Sequence, residues 1–189
     1  MPEPVLQDQH DETFDLLKDY LDWALYRQLR LAHSLSYGPW AEREVFGGVG
    51  FMSLNADLER EDVAEAEQVL EELKAQLLKD GLNAETFNRL KQAAIARQAW
   101  AVQGNSALAD YYWSAIGDYE DDRFANPARE LQAVSLQEAN KAMRELLLQP
   151  GYLRIEKPLL SDDQLVWTIA GVLGLMVSML VGWRLHRKK

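Results

Sequence analysis

The sequence feature that most constrains this chain is an uncharged segment of twenty residues near its carboxyl end. Residues 164–183 contain no Asp, Glu, Lys or Arg, and the chain then ends in Arg-Leu-His-Arg-Lys-Lys. Twenty helical residues rise about 30 Å, which matches the hydrocarbon thickness of a bilayer. Trp167 and Trp183 lie near the two ends, where indole rings favour the membrane interface. A buried core helix can be equally apolar, but the basic tail that follows favours a transmembrane helix over 164–183.

Charge divides the chain at the same point. All 30 acidic residues precede position 164, whereas four of the 20 basic residues follow it. Residues 1–163 therefore carry a formal charge of −14, from 16 basic and 30 acidic residues. Such a field repels nucleic acid, so no nucleic-acid partner is predicted. The partner predicted for the apolar segment is the lipid bilayer.

The location of the acidic part is open between two topologies. The positive-inside rule keeps the basic tail 184–189 in the cytoplasm and puts the acidic part outside, for example in the periplasm. The first twelve residues are polar and acidic, unlike a secretory signal. The alternative is a tail-anchored chain with its acidic part in the cytoplasm. We prefer the extracytoplasmic location, because a longer parent protein would supply the export signal.

The sequence gives little indication of a metal-binding site or of a reactive thiol. The chain has no cysteine, and His10, His33 and His186 are far apart in sequence. No two of them have the spacing of a helical zinc motif. The acidic residues at 118–122 lack the ligand order of an EF-hand, so they are predicted to form a solvated loop. The sequence thus predicts no metal and no cofactor in this chain.

Helical periodicity dominates the residues before the apolar segment. Apolar residues three or four positions apart predict one helix over about 12–32 and a second that ends at Gly81, a residue suited to a left-handed C-terminal position. Asn83 is predicted to cap a third helix, and Ser135-Leu-Gln-Glu138 is a capping box that opens a fifth. The fourth helix carries the aromatic residues around 108–116. They fit either a peptide-binding face or the core, and we predict that they pack in the core.

Strand patterns are fewer and shorter. Residues 46–54 are predicted to form one strand, and residues 152–157 alternate as another. About five helices and about three short strands indicate an α+β fold with a small antiparallel sheet. So thin a sheet offers these helices too little apolar surface, which indicates a missing partner chain or upstream segment. The predicted layout is a flexible acidic lead at 1–12, a domain at 13–158, a linker at 159–163, a transmembrane helix at 164–183 and a basic tail at 184–189.

The order of these segments carries a family resemblance. Residues 25–36 read Leu-Tyr-Arg-Gln-Leu-Arg-Leu-Ala-His-Ser-Leu-Ser, and the strand at 46–54 is followed by an acidic helix. Residues 82–91 and 133–147 supply two further helix starts. Together they resemble the carboxy-terminal domain of an insulinase-like (pitrilysin, M16) zinc peptidase. The resemblance implies an incomplete M16-like domain of the LuxS/MPP-like metallohydrolase fold. The sequence would begin inside this domain, after at least one of its strands.

The resemblance also implies that this chain has no zinc chemistry and no catalytic residue of its own. The family's His-x-x-Glu-His helix is absent from the sequence, so zinc is expected only in an upstream domain or a partner chain. Catalytic members of the family place an arginine and a tyrosine near the substrate. By the resemblance, Tyr26 occupies the arginine position here and His33 occupies the tyrosine position. Arg27 is displaced by one residue from the arginine position. Tyr26 and His33 are the candidate substrate-binding residues, although His33 also fits a hydrogen-bonded histidine at a helix end.

The predicted function is a non-catalytic, membrane-anchored half-shell. It would help a zinc-bearing M16 amino-terminal domain or chain to enclose peptides. The alternative is a tail-anchored scaffold or interaction protein with no proteolytic role. Small residues four positions apart in the apolar segment also predict close helix packing, and thus a homo-oligomer or a partner helix. These residues are Ala170, Gly174, Ser178 and Gly182.

Overall fold

The structure, a computed structural model, describes most of the chain in two compact units. One unit ends at Gly151 and the other begins at Tyr152. Within the described part, the first unit holds seven helices and one antiparallel sheet of two strands, an α+β arrangement. The described residues are 11–46, 49–101, 103–114, 116, 124, 126–156, 166–176 and 179.

Helix α1, Asp11–Leu25, lies at the centre of the core. Leu17, Leu21 and Leu25 recur at helical spacing and are at most 1% exposed. Burying one such side chain contributes about 1.5–3 kcal/mol. The helix continues as a π-helix, Tyr26–Ala32. The helix predicted over about 12–32 is confirmed, but its last seven residues form the wider turn that apolar spacing alone does not reveal.

Strands β1, Trp40–Phe46, and β2, Val49–Asn55, form an antiparallel pair. Ala41 lies opposite Leu54, and Arg43 lies opposite Met52. The side of the sheet that carries these residues faces α1. The strand predicted over 46–54 is therefore corrected, because Phe46 closes β1 and only the residues from Val49 onward belong to β2. The centre of strand β1 is the charged run Glu42-Arg43-Glu44, and glutamate has a low strand propensity.

Five α-helices follow the sheet. Asn83 accepts a hydrogen bond from the Thr86 backbone at 2.9 Å, which confirms its predicted cap. The capping box is also confirmed, since Ser135 and Glu138 exchange hydrogen bonds. The helices are α2 (Val63–Asp80), α3 (Ala84–Ala101), α4 (Asn105–Ser114), α5 (Pro127–Ala133) and α6 (Leu136–Leu148).

The turn between α2 and α3 is bonded to α6. Gly81 has a φ of 74°, so the positive φ predicted for it is confirmed, but its ψ of −166° lies outside the left-handed helical region. Beside it, the Leu82 backbone N–H donates to Asn140 Oδ1 at 2.7 Å. A Cβ at Gly81 would lie 2.6 Å from the same oxygen. Glycine is therefore required here for its conformation and for the close approach of Asn140.

The second unit corrects two predictions. Residues 166–176 are helical. Among the residues that the structure describes, no helix has the length and apolar character needed to cross a membrane, so the predicted transmembrane helix is wrong. Residues 152–156 form no strand; Arg154 and Glu156 form an ion pair at 2.6 Å there.

Candidate functional site

The two faces of the β1–β2 sheet differ in what covers them. The inner face carries Ala41 and Met52, which are buried against the helices. The other face carries the alternate residues of each strand, and we call it the outer sheet face. It consists of Trp40, Glu42, Glu44 and Phe46 on β1, opposite Asn55, Ser53, Phe51 and Val49 on β2.

Large apolar side chains are exposed on the outer sheet face. Trp40 and Phe51 are each 40% exposed, and Phe46 is 62% exposed. The rings of Phe46 and Phe51 lie 6.2 Å apart across the two strands, a distance typical of a cross-strand aromatic pair. Isolated exposed apolar residues are ordinary, but a group of this kind on one face is typical of an interaction surface.

Two carboxylates lie on the same face. Glu42 and Glu44 are exposed, and neither forms an ion pair within the described part of the chain. The intervening Arg43 faces the inner side, where its Nη1 lies 3.1 Å from Asp15 Oδ1 and its guanidinium lies 5.9 Å from the Phe14 ring. Strand alternation therefore separates the cation from the two anions, and the outer sheet face is acidic and aromatic.

Tyr26, one of the predicted substrate-binding residues, begins the π-helix. The guanidinium carbon of Arg30 lies 5.2 Å from the Tyr26 ring and 4.2 Å from the Tyr37 ring. Arg30 also donates a hydrogen bond to the Tyr37 carbonyl. Tyr26 is partly exposed, and its ring is ordered by a cation–π contact that contributes about 0.5–1 kcal/mol at such a site.

His33, the other predicted residue, directly follows the π-helix. Its backbone N–H donates to the Gln28 carbonyl at 3.1 Å, and its Nδ1 lies 3.6 Å from Glu65 Oε1 on α2. The next residue, Ser34, has a φ of 57°, a costly conformation for a residue other than glycine. Tyr26 and His33 thus contact different partners, and their role in binding substrate stays a prediction.

Comparison with known proteins finds a family model that matches part of the chain. Residues 1–94 match the family model described as the peptidase M16 inactive domain. The chain carries a C-terminal M16-like domain. No curated protein matches the sequence significantly.

Solved structures agree with this family in fold. The M16-like domain is similar to an M16-like peptidase from Alicyclobacillus acidocaldarius, with 19% identity, a TM-score of 0.56 and 71% of this chain covered. It is similar to the periplasmic protease PqqL from Escherichia coli, with 16% identity, a TM-score of 0.58 and 76% covered. For pitrilysin the identity is 18%, the TM-score is 0.50 and 77% is covered. The chain spans only 32%, 17% and 16% of these three proteins, respectively.

A second surface of the M16-like domain lies between α3, α4 and the start of α5. Leu108, Tyr111, Tyr112, Phe124 and Pro127 line a groove of about 280 Å³. The aromatic residues of α4 were predicted to pack in the core, and this is wrong, since Tyr112 is 44% exposed and Trp113 is 79% exposed. Partial burial raises the pKa of the Tyr111 hydroxyl above its ordinary value, and Tyr112 and Glu130 raise it further.

The remaining predicted positions divide between described and undescribed residues. Ala170 and Gly174 lie in the helix at 166–176, whereas Ser178 and Gly182 lie outside the described residues. The acidic stretch 118–122 also lies outside them. Within the described part, no three His, Asp or Glu side chains converge as a metal site would require.

Sequence reasoning missed the outer sheet face. Its residues come from two strands, and β1 was not predicted. The detectable signal was the alternation of Trp40, Glu42, Glu44 and Phe46 with Ala41, Arg43 and Val45. That alternation is weak because polar residues occur on both faces.

Proposed function

We propose that this chain is the non-catalytic half of a peptide-enclosing M16 assembly. In this assembly, the outer sheet face lines the peptide compartment, and a separate zinc-bearing M16 domain or chain hydrolyses the peptide. The observation that carries the proposal is the contrast between the two faces of the sheet, one packed on α1 and the other exposed, aromatic and acidic. The family's description as an inactive domain supports the non-catalytic role.

The residues at the family's substrate-contacting positions support the same division of labour. Tyr26 stands at the arginine position, and its phenol carries no positive charge at neutral pH. His33 stands at the tyrosine position and lies beside Glu65. In the proposed assembly both residues bind the peptide, and neither acts on the scissile bond. Zinc, when bound by the partner domain, supplies the activated water.

The compartment of this assembly is part of the proposal. In the proposal, the assembly is extracytoplasmic. The structurally similar PqqL is itself described as a periplasmic protease.

The proposal is tested by mixing the full chain with a zinc-bearing M16 domain encoded in the same genome. Light scattering after size exclusion is expected to show a stable complex. Cleavage of a quenched fluorescent peptide by the zinc domain is expected to rise at least several-fold when the chain is added, and to stop with a chelator. The chain alone is expected to leave the peptide intact. Absence of both complex and stimulation would contradict the proposal.

An interaction protein without a proteolytic role is the second candidate function. The exposed aromatic groove between α3 and α5 favours it, because an exposed aromatic surface is typical of contacts between proteins. The same mixture separates the two functions. A stable complex that leaves the cleavage rate unchanged supports the interaction protein.

A further inference from the structure

The outer sheet face combines two features that attract the same kind of ligand. Carboxylates attract cations directly, and the faces of aromatic rings attract them through the ring quadrupole. Glu42 and Glu44 supply the carboxylates, while Trp40, Phe46 and Phe51 supply the rings. A ligand that carries positive charge therefore gains from both features at once.

Elsewhere in the described first unit, aromatic rings already have arginines beside them. Arg27 lies 5.2 Å from the Trp23 ring, and Arg30 lies against two tyrosines. On the outer sheet face, the part of the chain that the structure describes places no arginine or lysine over a ring. The rings of the outer sheet face can therefore accept a cation from outside the described part of the chain.

The spacing of the two carboxylates adds a geometric condition. Glu42 and Glu44 are alternate residues of one strand, so their side chains leave the same face about 7 Å apart. Alternate side chains of an extended peptide have the same spacing. A peptide that lies along β1 therefore matches both carboxylates only when its basic residues occupy alternate positions.

We propose that the outer sheet face binds extended peptides that carry arginine or lysine at alternate positions. Glu42 and Glu44 pair with two successive basic side chains, and the rings of Trp40 and Phe51 contact the adjoining cationic groups. This assignment rests on the proposed function, since it names the class of peptide that the compartment selects. The formal charge of −14 on residues 1–163 attracts the same peptides at long range.

The test measures fluorescence anisotropy of labelled peptides with the full chain alone, at low ionic strength. Three peptides are compared: Arg-Ser-Arg-Ser-Arg-Ser, Arg-Arg-Arg-Ser-Ser-Ser and Glu-Ser-Glu-Ser-Glu-Ser. The alternating arginine peptide is expected to bind several-fold more tightly than the blocked one, and the acidic peptide not to bind. Equal affinity for the two arginine peptides, or no binding of either, overturns the proposal.

Variants locate the binding surface. Glu42→Gln with Glu44→Gln is expected to weaken binding of the alternating peptide about fivefold. The matched control is Glu71→Gln with Glu72→Gln, which removes the same charge from exposed positions of α2 and is expected to preserve affinity. An equal loss in both double variants would show that only the overall charge matters, and would overturn the assignment.

A second variant tests the aromatic part without changing charge. Phe51→Leu keeps an apolar side chain at a partly exposed position, so the fold is retained, and affinity is expected to fall about twofold. Unchanged affinity removes the cation–π contact from the proposal. Because these measurements need no partner domain, failure here leaves the complex and stimulation experiment as an independent test of the proposed function.

Discussion

The inner and outer faces of the β1–β2 sheet alternate residue by residue, yet they have opposite roles. Met52 is 1% exposed against the helical core, whereas its neighbour Phe51 points away from it. Ala41 is buried, and Trp40 beside it is partly exposed. At these four positions, the side of the pleat decides whether a residue stabilises this fold or remains available for binding. Residue type alone does not decide it, since phenylalanine is the more hydrophobic choice for a core.

The largest expected effect is on the inner face. Met52→Ala removes a buried side chain and leaves a cavity, so we expect the free energy of unfolding to fall by about 2–4 kcal/mol. Urea unfolding followed by circular dichroism measures this difference. A loss no larger than that of Phe51→Ala would break the comparison between the two faces.

Introducing a larger side chain on each face of the sheet tests the same difference in packing. Ala41 is 3% exposed, and its backbone N–H donates to Asp22 Oδ1 at 3.1 Å. We expect Ala41→Leu to cost about 1–3 kcal/mol because the packed interior has no room for the longer side chain. The control is Ser53→Leu on the outer sheet face, which we expect to change stability by about 0.5 kcal/mol or less. Similar thermal shifts for the two variants would contradict this view.

Arg43 tests the polar contribution of the inner face. We expect Arg43→Met to cost about 1 kcal/mol, because it keeps the aliphatic stem but loses the contacts with Asp15 and Phe14. A double-mutant cycle with Asp15→Asn isolates the ion pair. The coupling energy is expected to be about 0.2–1 kcal/mol and to decrease in high salt, and a coupling of zero would assign the cost to packing.

The smallest effect is expected on the outer sheet face. Phe51→Ala loses the partial contact with Phe46 but buries little surface, so we expect a cost of about 0.5 kcal/mol in urea unfolding. The same variant is expected to weaken binding of the alternating arginine peptide. A large stability loss would mean that this face belongs to the core.

Local motifs account for the parts of the fold that the sequence predicts well. The caps at Asn83 and Ser135 and the positive φ of Gly81 depend on hydrogen bonds or backbone preferences within a few residues. The apolar stripe of α1 is also visible, since Leu17, Leu21 and Leu25 repeat at helical spacing. These features need no knowledge of distant contacts.

Features that depend on distant partners were predicted poorly. Strand β1 is recognisable only with its partner β2, and the outer sheet face depends on that pairing. The aromatic residues of α4 have the composition of a core helix, but the described neighbours leave several of them exposed. Residues 164–183 have the composition of a membrane span, whereas no helix that the structure describes is long and apolar enough to cross a membrane. Composition therefore limits which structures a segment can form, and contacts with distant residues determine which of them it forms.

The candidate site shows the same division. Tyr26 and His33 are identified through a resemblance to a family segment, and the structure places them at the start and just beyond the end of the π-helix. The resemblance gives no information on their neighbours. Arg30, Tyr37 and Glu65 became visible only when the chain was folded.

The bond between Leu82 and Asn140 has a consequence for how the domain assembles. It joins residues 58 positions apart, so it forms only when a long loop has closed. Contacts of this separation slow folding, whereas the caps of the individual helices form within a few residues. We therefore expect helix α6 to dock onto the turn at Gly81 after the helices on either side of that turn have formed.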